Sequence, residues 1–176
     1  MEYVKRCIKF QLPNGHIVDI LEPVIREIEN WLQVKNTLPE SCGFLMGYLN
    51  PRSGNVTISN LTTPQIGDVR TRIFCQLRDR IHFELLSMNQ KHQNYYMGVW
   101  HTHPQKIPSP SSIDWSDWND TLHKDRTGSA YAFFIIAGTE AFRIWIGDFA
   151  TGEITEIFET EIIEGVYTKE DEAYEN

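Results

Sequence analysis

The chain has 176 residues, 41% of them hydrophobic and 12% aromatic, with 16 basic and 24 acidic side chains that give a net charge of −8. This length and composition favour one domain around one core and exclude global disorder. The acidic balance leaves little basic surplus for a nucleic-acid-binding face, and no apolar run is long enough to cross a membrane. Because charges interrupt residues 1–10, which lack the apolar run of a signal peptide, we expect a cytoplasmic protein.

The first third of the chain predicts a hairpin, a helix and a second hairpin. The turn sequence Pro13-Asn14-Gly15 joins the two strands of the first hairpin, over residues 9–20. A helix begins near Pro23 and carries apolar residues at helical spacing. Residues 43–49 predict a buried strand, and residues 56–61 predict its hairpin partner.

The remaining chain alternates helices with strands. The polar stretch at residues 62–72 predicts a surface loop, and residues 78–93 predict a helix with one buried side. Because strand and helix signals alternate, we predict a mixed α/β domain built on a single sheet and flanked by helices over residues 1–163, followed by a solvated acidic tail at 164–176. The buried side of that helix is predicted to be Ile81, Leu85, Leu86 and Met88, and the later elements are a strand at 97–100, a helix at 113–123 and strands at 130–137, 141–147 and 154–163.

The three cysteines predict free thiols rather than a disulfide framework. Cys7, Cys42 and Cys75 are odd in number, sparse and too widely spaced for a zinc knuckle. Such usage is typical of a reducing compartment. Cys42, in its apolar surroundings, is predicted to be a buried and inert thiol.

The strongest chemical signal is His101-Thr102-His103-Pro104, followed by Asp114. Two histidines at i and i+2 on a strand point to the same side, so their imidazoles can share one ion. A carboxylate that follows a proline-rich loop and starts a helix can return to give a third ligand. Two histidines and one carboxylate suit tetrahedral zinc with a fourth position left for water, as in a catalytic site. The alternative for a lone His-x-His pair is a solvated strand without a ligand function.

A catalytic zinc site also needs a proton acceptor, and Glu40 is the candidate. It stands directly before the predicted buried strand at 43–49, where a glutamate at the edge of the sheet can take a proton from water. The alternative is an exposed glutamate at a helix–strand junction.

Together these segments resemble the JAMM (MPN-plus) metalloprotease family. The family pattern is a glutamate ahead of a glycine-containing strand, then His-x-His-Pro, then a serine and an aspartate at fixed distances; this sequence has in those places Glu40, His101, His103, Ser111 and Asp114. The resemblance implies a three-layered α/β fold of cytidine-deaminase-like type with one catalytic Zn²⁺. It also implies that His101, His103 and Asp114 are the zinc ligands. Glu40 is then the general base and later proton donor, and Ser111 stabilises the oxyanion as water attacks a carbonyl.

Within the family, the sequence is similar to short bacterial members, the deconjugating proteases of type II CBASS antiphage operons. Residues 67–70, 99–104 and 108–114 carry this similarity. It implies an isopeptidase whose substrate is a protein conjugate, joined through the C-terminus of a ubiquitin-like modifier or of a cGAS-like nucleotidyltransferase. The alternatives are a JAMM protease of another bacterial ubiquitin-like or sulfur-carrier system, and a zinc-free MPN scaffold that only binds partners.

Two further groups of polar residues have simpler predicted roles. The clearest basic cluster predicts either a solvated loop and helix start or a docking patch for an acidic partner or a chain-terminal carboxylate; it consists of Arg70, Arg72, Arg78 and Arg80. The histidines without partners at ligand spacing are predicted to be surface or structural residues, and they are His16, His82, His92 and His123.

Overall fold

Strands and helices alternate along the chain as predicted. The computed structural model describes residues 8–160, so Cys7, the end of the last predicted strand at 161–163 and the predicted tail at 164–176 lie outside the described residues. The elements are β1 (Ile8–Gln11), β2 (Ile17–Ile20), α1 (Glu22–Glu29), β3 (Cys42–Leu49), β4 (Val56–Leu61), β5 (Val69–Arg70), β6 (Cys75–Gln76), α2 (Arg80–Lys91), β7 (Tyr95–Thr102), α3 (Ser112–Lys124), β8 (Tyr131–Ala137), β9 (Phe142–Asp148) and β10 (Ile154–Ile157).

One large mixed sheet organises the described residues. It has eight strands in the order β1-β2-β4-β3-β7-β8-β9-β10. Most neighbouring strands are antiparallel, whereas β2 pairs with β4, and β7 with β8, in parallel. The short strands β5 and β6 pair with each other in a separate hairpin. The predicted mixed α/β class is therefore confirmed, as is the predicted hairpin of β1 and β2.

Helices cover both faces of this sheet. Along β8, Phe133 and Ile135 belong to a core cluster that includes residues of α1, whereas Phe134 and Ile136 pack with Trp118 of α3. This alternation is that of a strand buried on both faces. No helix within residues 8–160 has the length and apolar character needed to cross a membrane.

Helix α2 turns a different side to the sheet from the one predicted. Ile81 and Met88 are 40% and 58% exposed, whereas His82 is fully buried. The positions three and four residues after His82 are Leu85 and Leu86, which are partly buried and lie on the same helix face. The prediction is therefore correct for Leu85 and Leu86 and wrong for Ile81 and Met88. Apolar spacing could not find the buried face because its most buried residue, His82, is polar.

The stretch predicted as a surface loop at 62–72 is part of a folded segment. It contains β5, which pairs with β6, and it begins at Thr62, which is 1% exposed. The Thr62 carbonyl accepts a hydrogen bond from Trp100 Nε1 at 2.9 Å. A Cβ at Gly43 would collide with this carbonyl, so glycine permits the close approach of the two backbones. The prediction of an irregular stretch is correct for most of residues 62–72, but it missed β5 and the contacts of Thr62, because polar composition does not reveal long-range partners.

Cys42 and Cys75 form a disulfide, 33 residues apart in sequence. The prediction of free thiols is therefore wrong for this pair, and so is the prediction that Cys42 is an inert thiol. Cys42 begins β3 and Cys75 begins β6. The two residues meet only because the 62–79 segment folds back onto the sheet, which their spacing does not reveal.

Candidate metal centre

Strand β7 and the start of α3 bring three predicted ligands together. His101 lies near the end of β7 and His103 follows the strand, so strand alternation sends both imidazoles to one side. Their Nε2 atoms are 3.1 Å apart. Asp114 Oδ1 lies 3.1 Å from His101 Nε2, and Asp114 Oδ2 lies 3.2 Å from His103 Nε2. All three side chains are buried.

The first turn of α3 fixes the position of Asp114. Ser111 is the N-cap of this helix, and its hydroxyl accepts a hydrogen bond from the Asp114 N–H at 3.1 Å. In return, Asp114 Oδ2 accepts the Ser111 N–H at 2.7 Å, which completes a capping box. The carboxylate is thus held by its own helix start. The Ser111 hydroxyl keeps its hydrogen for another acceptor, because a hydroxyl can accept and donate at once.

Glu40 joins the cluster from the start of β3. It is 4% exposed, so the alternative of an exposed junction residue is wrong. Its Oε1 lies 3.5 Å from His103 Nε2. One ligand atom each from Glu40, His101 and His103 lie within 4.8 Å of one another. Two carboxylates therefore lie close to the imidazoles of His101 and His103. The Asp114 oxygens lie 3.1 and 3.2 Å from the imidazole nitrogens, whereas Glu40 Oε1 lies 3.5 Å from His103 Nε2.

Burial and charge separate the two carboxylates chemically. Burial raises the pKa of Glu40 to about 8, an effect that the His103 imidazole opposes and the Asp114 charge reinforces. Burial alone would also raise the pKa of Asp114, but hydrogen bonds from His101 and His103 outweigh it and hold that pKa well below its ordinary value. Burial lowers the pKa of His103, yet the bond and charge of Asp114 and the charge of Glu40 leave it raised. One carboxyl is suited to holding a positive charge and the other to exchanging a proton near neutral pH.

The arrangement fits a tetrahedral ion. Zinc bonds of about 2.0–2.1 Å place neighbouring ligand atoms about 3.3 Å apart. His101 Nε2 and His103 Nε2 are 3.1 Å apart, close to this spacing, and Asp114 presents a different oxygen to each of them, Oδ1 to His101 at 3.1 Å and Oδ2 to His103 at 3.2 Å. Nitrogen and oxygen donors of this kind suit zinc.

A cavity of about 310 Å³ opens beside the cluster. Its lining includes Glu40, His101 and Asp114 of the cluster, together with the Cys42–Cys75 disulfide and Leu77. A reacting bond in this cavity would therefore meet both carboxylates.

Two supporting residues were missed by the sequence prediction. Gln105 Oε1 lies 3.4 Å from His103 Nδ1, and it also accepts the Ser109 N–H at 2.8 Å. An outer partner of this kind fixes the orientation of a ligand imidazole. The other is Arg70, for which the sequence allowed a role in a docking patch. It is partly buried and donates hydrogen bonds to the Glu40 carbonyl at 2.8 Å and to the Ser41 hydroxyl at 2.7 Å. No local motif marks Gln105, and Arg70 belongs to the family-like stretch at residues 67–70 without a bonding partner that the sequence could indicate.

The site is a candidate metal centre at the end of β7 in a mixed sheet, where two histidines and two carboxylates form a buried cluster. Comparison with known proteins gives the family. The profile of the prokaryotic homologs of the JAB domain matches residues 24–147. The chain belongs to this family.

Relatives named as isopeptidases support the same grouping. The chain is 27% identical over 136 residues to a CD-NTase/cGAS isopeptidase from Vibrio cholerae, covering 74% of this chain and 81% of the relative. It is 31% identical over 108 residues to a protein of the same name from Escherichia coli, covering 60% of this chain and 67% of the relative. A solved structure from Desulfitobacterium hafniense has a similar fold, with a TM-score of 0.54 at 15% identity, covering 82% of this chain and 90% of that one.

Proposed function

We propose that this protein is a zinc-dependent isopeptidase that releases a protein joined through its C-terminal carboxylate to an amine of another protein. Membership of the JAB family and relatives named CD-NTase/cGAS isopeptidase support this reaction. The observation that carries the proposal is the placement of Glu40 beside the buried cluster of His101, His103 and Asp114. The proposal includes the cytidine-deaminase-like architecture and a place in bacterial antiphage defence of the CBASS type.

The ligands in this proposal are His101, His103 and Asp114. A bound Zn²⁺ supplies Lewis-acid polarisation of a carbonyl and lowers the pKa of water. The low pKa of Asp114 suits a permanent negative ligand. The Asp114 capping box holds that ligand before any ion binds, which reduces the entropy cost of assembling the site.

Glu40 moves the proton in this proposal. Its carboxylate accepts a proton at Oε1 from the attacking water while the new carbon–oxygen bond forms. It then delivers that proton to the leaving amine as the carbon–nitrogen bond breaks, so the products are a free amine and a protein with a C-terminal carboxyl group, which ionises by releasing the second proton of the water to solvent. A pKa of about 8, raised chiefly by burial, keeps proton transfer in both directions accessible near neutral pH.

Ser111 stabilises the carbonyl oxygen in this proposal. Its hydroxyl accepts the Asp114 N–H as the cap of α3, which leaves the hydroxyl hydrogen to donate to the oxygen of a substrate carbonyl. A donor that acts on developing charge lowers the barrier more than it strengthens substrate binding.

The experiment that tests the proposal compares Glu40→Gln with the wild type. The substrate is a nucleotidyltransferase of the cGAS-like class joined to a reporter amine, with a ubiquitin-like fusion and an unfused peptide in parallel. We expect cleavage of a protein conjugate but not of the free peptide. We also expect Glu40→Gln to lose about 10²–10⁴-fold in turnover while it keeps one zinc per chain, since proton transfer contributes that much.

The matched control is Glu153→Gln, which changes an exposed glutamate far from the cluster. It is expected to leave turnover unchanged. Full activity of folded, zinc-loaded Glu40→Gln would remove Glu40 from the reaction. Equal cleavage of generic peptides and conjugates would replace the isopeptidase with a broad metalloprotease.

A further inference from the structure

The peptide groups on both sides of Glu40 form hydrogen bonds with Arg70 and Thr71, which follow about thirty residues later in the chain. The Glu40 N–H donates to the Thr71 carbonyl at 2.8 Å. Arg70 Nε donates to the Glu40 carbonyl at 2.8 Å, and Arg70 Nη2 donates to the Ser41 hydroxyl at 2.7 Å. Residues 70 and 71 thus bond to Glu40 on both sides of its Cα atom.

The next residue, Ser41, forms hydrogen bonds with Thr102 of β7, the strand that also carries His101. The Ser41 N–H donates to Thr102 Oγ1 at 3.0 Å, and the Thr102 N–H donates to the Ser41 carbonyl at 3.0 Å. The Thr102 hydroxyl in turn donates to Gln33 Oε1 at 2.9 Å. Because Thr102 lies between His101 and His103 in sequence, these hydrogen bonds fix Ser41 relative to β7. The position of Glu40 relative to His103 then depends on Arg70 and Thr71.

The segment that carries Arg70 is itself anchored by a buried polar chain. Thr62 Oγ1 accepts the Phe44 N–H and lies 2.7 Å from His82 Nδ1. Asp68 Oδ2 accepts from His82 Nε2 at 2.6 Å, because a carboxylate can only accept. The side chains of His82 and Asp68 are fully buried. This Thr–His–Asp chain ties the segment to β4 and α2.

The disulfide ties the same segment to the residue after Ser41. Cys75 is the cross-strand partner of Arg70, and Cys42 follows Ser41 along the chain. The Arg70 guanidinium also lies over the Trp31 ring, 5.5 Å from its centroid. The strand of Arg70 is thus tied by a covalent bridge to the residue after Ser41, and the charged head of Arg70 packs on an aromatic ring.

We propose that Arg70 is a positioning residue that sets the Glu40 carboxyl relative to the imidazole of His103. The inference rests on the proposed function, because Glu40 is the group whose placement matters there. The planar guanidinium holds two acceptors, the Glu40 carbonyl and the Ser41 hydroxyl, with a fixed angle between its donors. A lysine ammonium is a point charge and does not reproduce this fork. Arg70 is therefore not part of a free docking patch.

The test compares Arg70→Lys with Arg72→Lys, the same change at the exposed neighbour. For Arg70→Lys we expect kcat for the conjugate to fall at least about tenfold, since small misplacements of a catalytic group cost up to about 10²-fold. We expect KM to change by less than about twofold, which is the signature of an interaction that acts on the transition state. Arg72→Lys is expected to match the wild type. A large rise in KM at constant kcat would overturn positioning in favour of substrate docking.

A double-mutant cycle separates positioning from a general loss of structure. If Arg70 acts through Glu40, adding Arg70→Lys to Glu40→Gln costs less than about twofold in single-turnover rate. An undiminished loss in that background would overturn the proposal, because it would show an effect that bypasses Glu40.

A readout independent of activity completes the test. Crystal structures of the zinc-loaded wild type and Arg70→Lys are expected to differ in the separation of Glu40 Oε1 and His103 Nε2, which is 3.5 Å in the structure described here. An unchanged separation would overturn the proposal. A wild type that cleaves no conjugate would instead contradict the proposed function, and the crystal comparison would still decide the role of Arg70.

Discussion

Two stretches of the chain meet at the candidate metal centre, and they are built in different ways. The ligand stretch, residues 101–114, takes its geometry from the end of a long strand and the first turn of a helix. The bracing segment, residues 62–79, contains only the two-residue strands β5 and β6. In the ligand stretch, regular backbone geometry positions the side chains. In the bracing segment, side-chain hydrogen bonds and a disulfide position the backbone.

The ligand stretch and the bracing segment are therefore expected to respond differently to substitution. Strand alternation and a capping box are local, so a single substitution in the ligand stretch changes chemistry more than shape. The bracing segment depends on contacts between residues far apart in sequence. A single substitution there is expected to change the stability and alignment of the site while the ligands remain.

The largest expected effect is the loss of the ion on removal of one ligand. We predict that His103→Ala abolishes stoichiometric zinc binding and turnover, because two remaining protein ligands leave the tetrahedral site incomplete. Elemental analysis of the purified variant measures the zinc content. His92→Ala changes an exposed histidine and is expected to keep one zinc per chain. Retention of zinc in His103→Ala would show that the ligand stretch is not the metal site.

Ser111 offers a sharper test, because its two roles are separable. We predict that Ser111→Gly keeps most of the helix cap but loses the hydroxyl donor, so turnover falls about 10²–10³-fold with little change in melting temperature. Ser111→Ala loses both, with an added stability cost of about 1 kcal/mol. Ser111→Thr, which keeps both features, is the matched control. Normal turnover in Ser111→Gly would leave Ser111 only the role of helix cap.

The sequence predicts the ligand stretch because its signals are local. His101 and His103 share a side by strand period alone, and a serine three residues before Asp114 marks a helix start. The same reasoning proposed Glu40 but also allowed it to be exposed. Its burial depends on the segment that covers it, which local patterns do not describe.

The sequence does not predict the bracing segment, because its partners are distant and chemically ordinary. Arg70 bonds to a main-chain carbonyl and a serine hydroxyl, which no motif specifies. Cys42 and Cys75 are separated by 33 residues, and their pairing requires β6 to lie beside β3. His82 appears alone in sequence, although its two partners make it a fully satisfied core residue.

The disulfide gives the next prediction, in which stability changes but the ligands do not. We predict that Cys75→Ala lowers the free energy of unfolding by about 3–4 kcal/mol, the loop-closure value for a bridge between residues 33 apart. Zinc content is expected to stay at one per chain, since the ligands lie on β7 and α3. Urea unfolding with and without dithiothreitol measures the effect. The reductant is expected to destabilise the wild type and leave Cys75→Ala unchanged; an equal response of both would deny the bridge a stabilising role.

The smallest expected effect comes from the buried anchor of the bracing segment. Asp68 accepts hydrogen bonds from the Gln65, Arg78 and Asp79 N–H groups and from His82 Nε2. Asp68→Asn places an amide where one of these acceptor oxygens stood. We predict a loss of about 1–3 kcal/mol in the free energy of unfolding near pH 7, because buried donors lose their acceptor.

The pH dependence of this loss has a definite sign. Burial alone would raise the pKa of Asp68, but the hydrogen bonds from His82 and the three N–H groups outweigh it and lower that pKa in the folded chain. A lowered pKa contributes stability that is fully present above the unfolded value, about 3.9, and is lost as pH falls through the folded value. The wild type should therefore lose more stability on acidification than Asp68→Asn, so the gap between them narrows. Urea unfolding at pH 7 and pH 3 measures that gap, with the exposed Asp120→Asn as control. A gap that stays constant across this range would show that the charge of Asp68 contributes nothing, and that the bracing segment is held by the disulfide and its main-chain pairing.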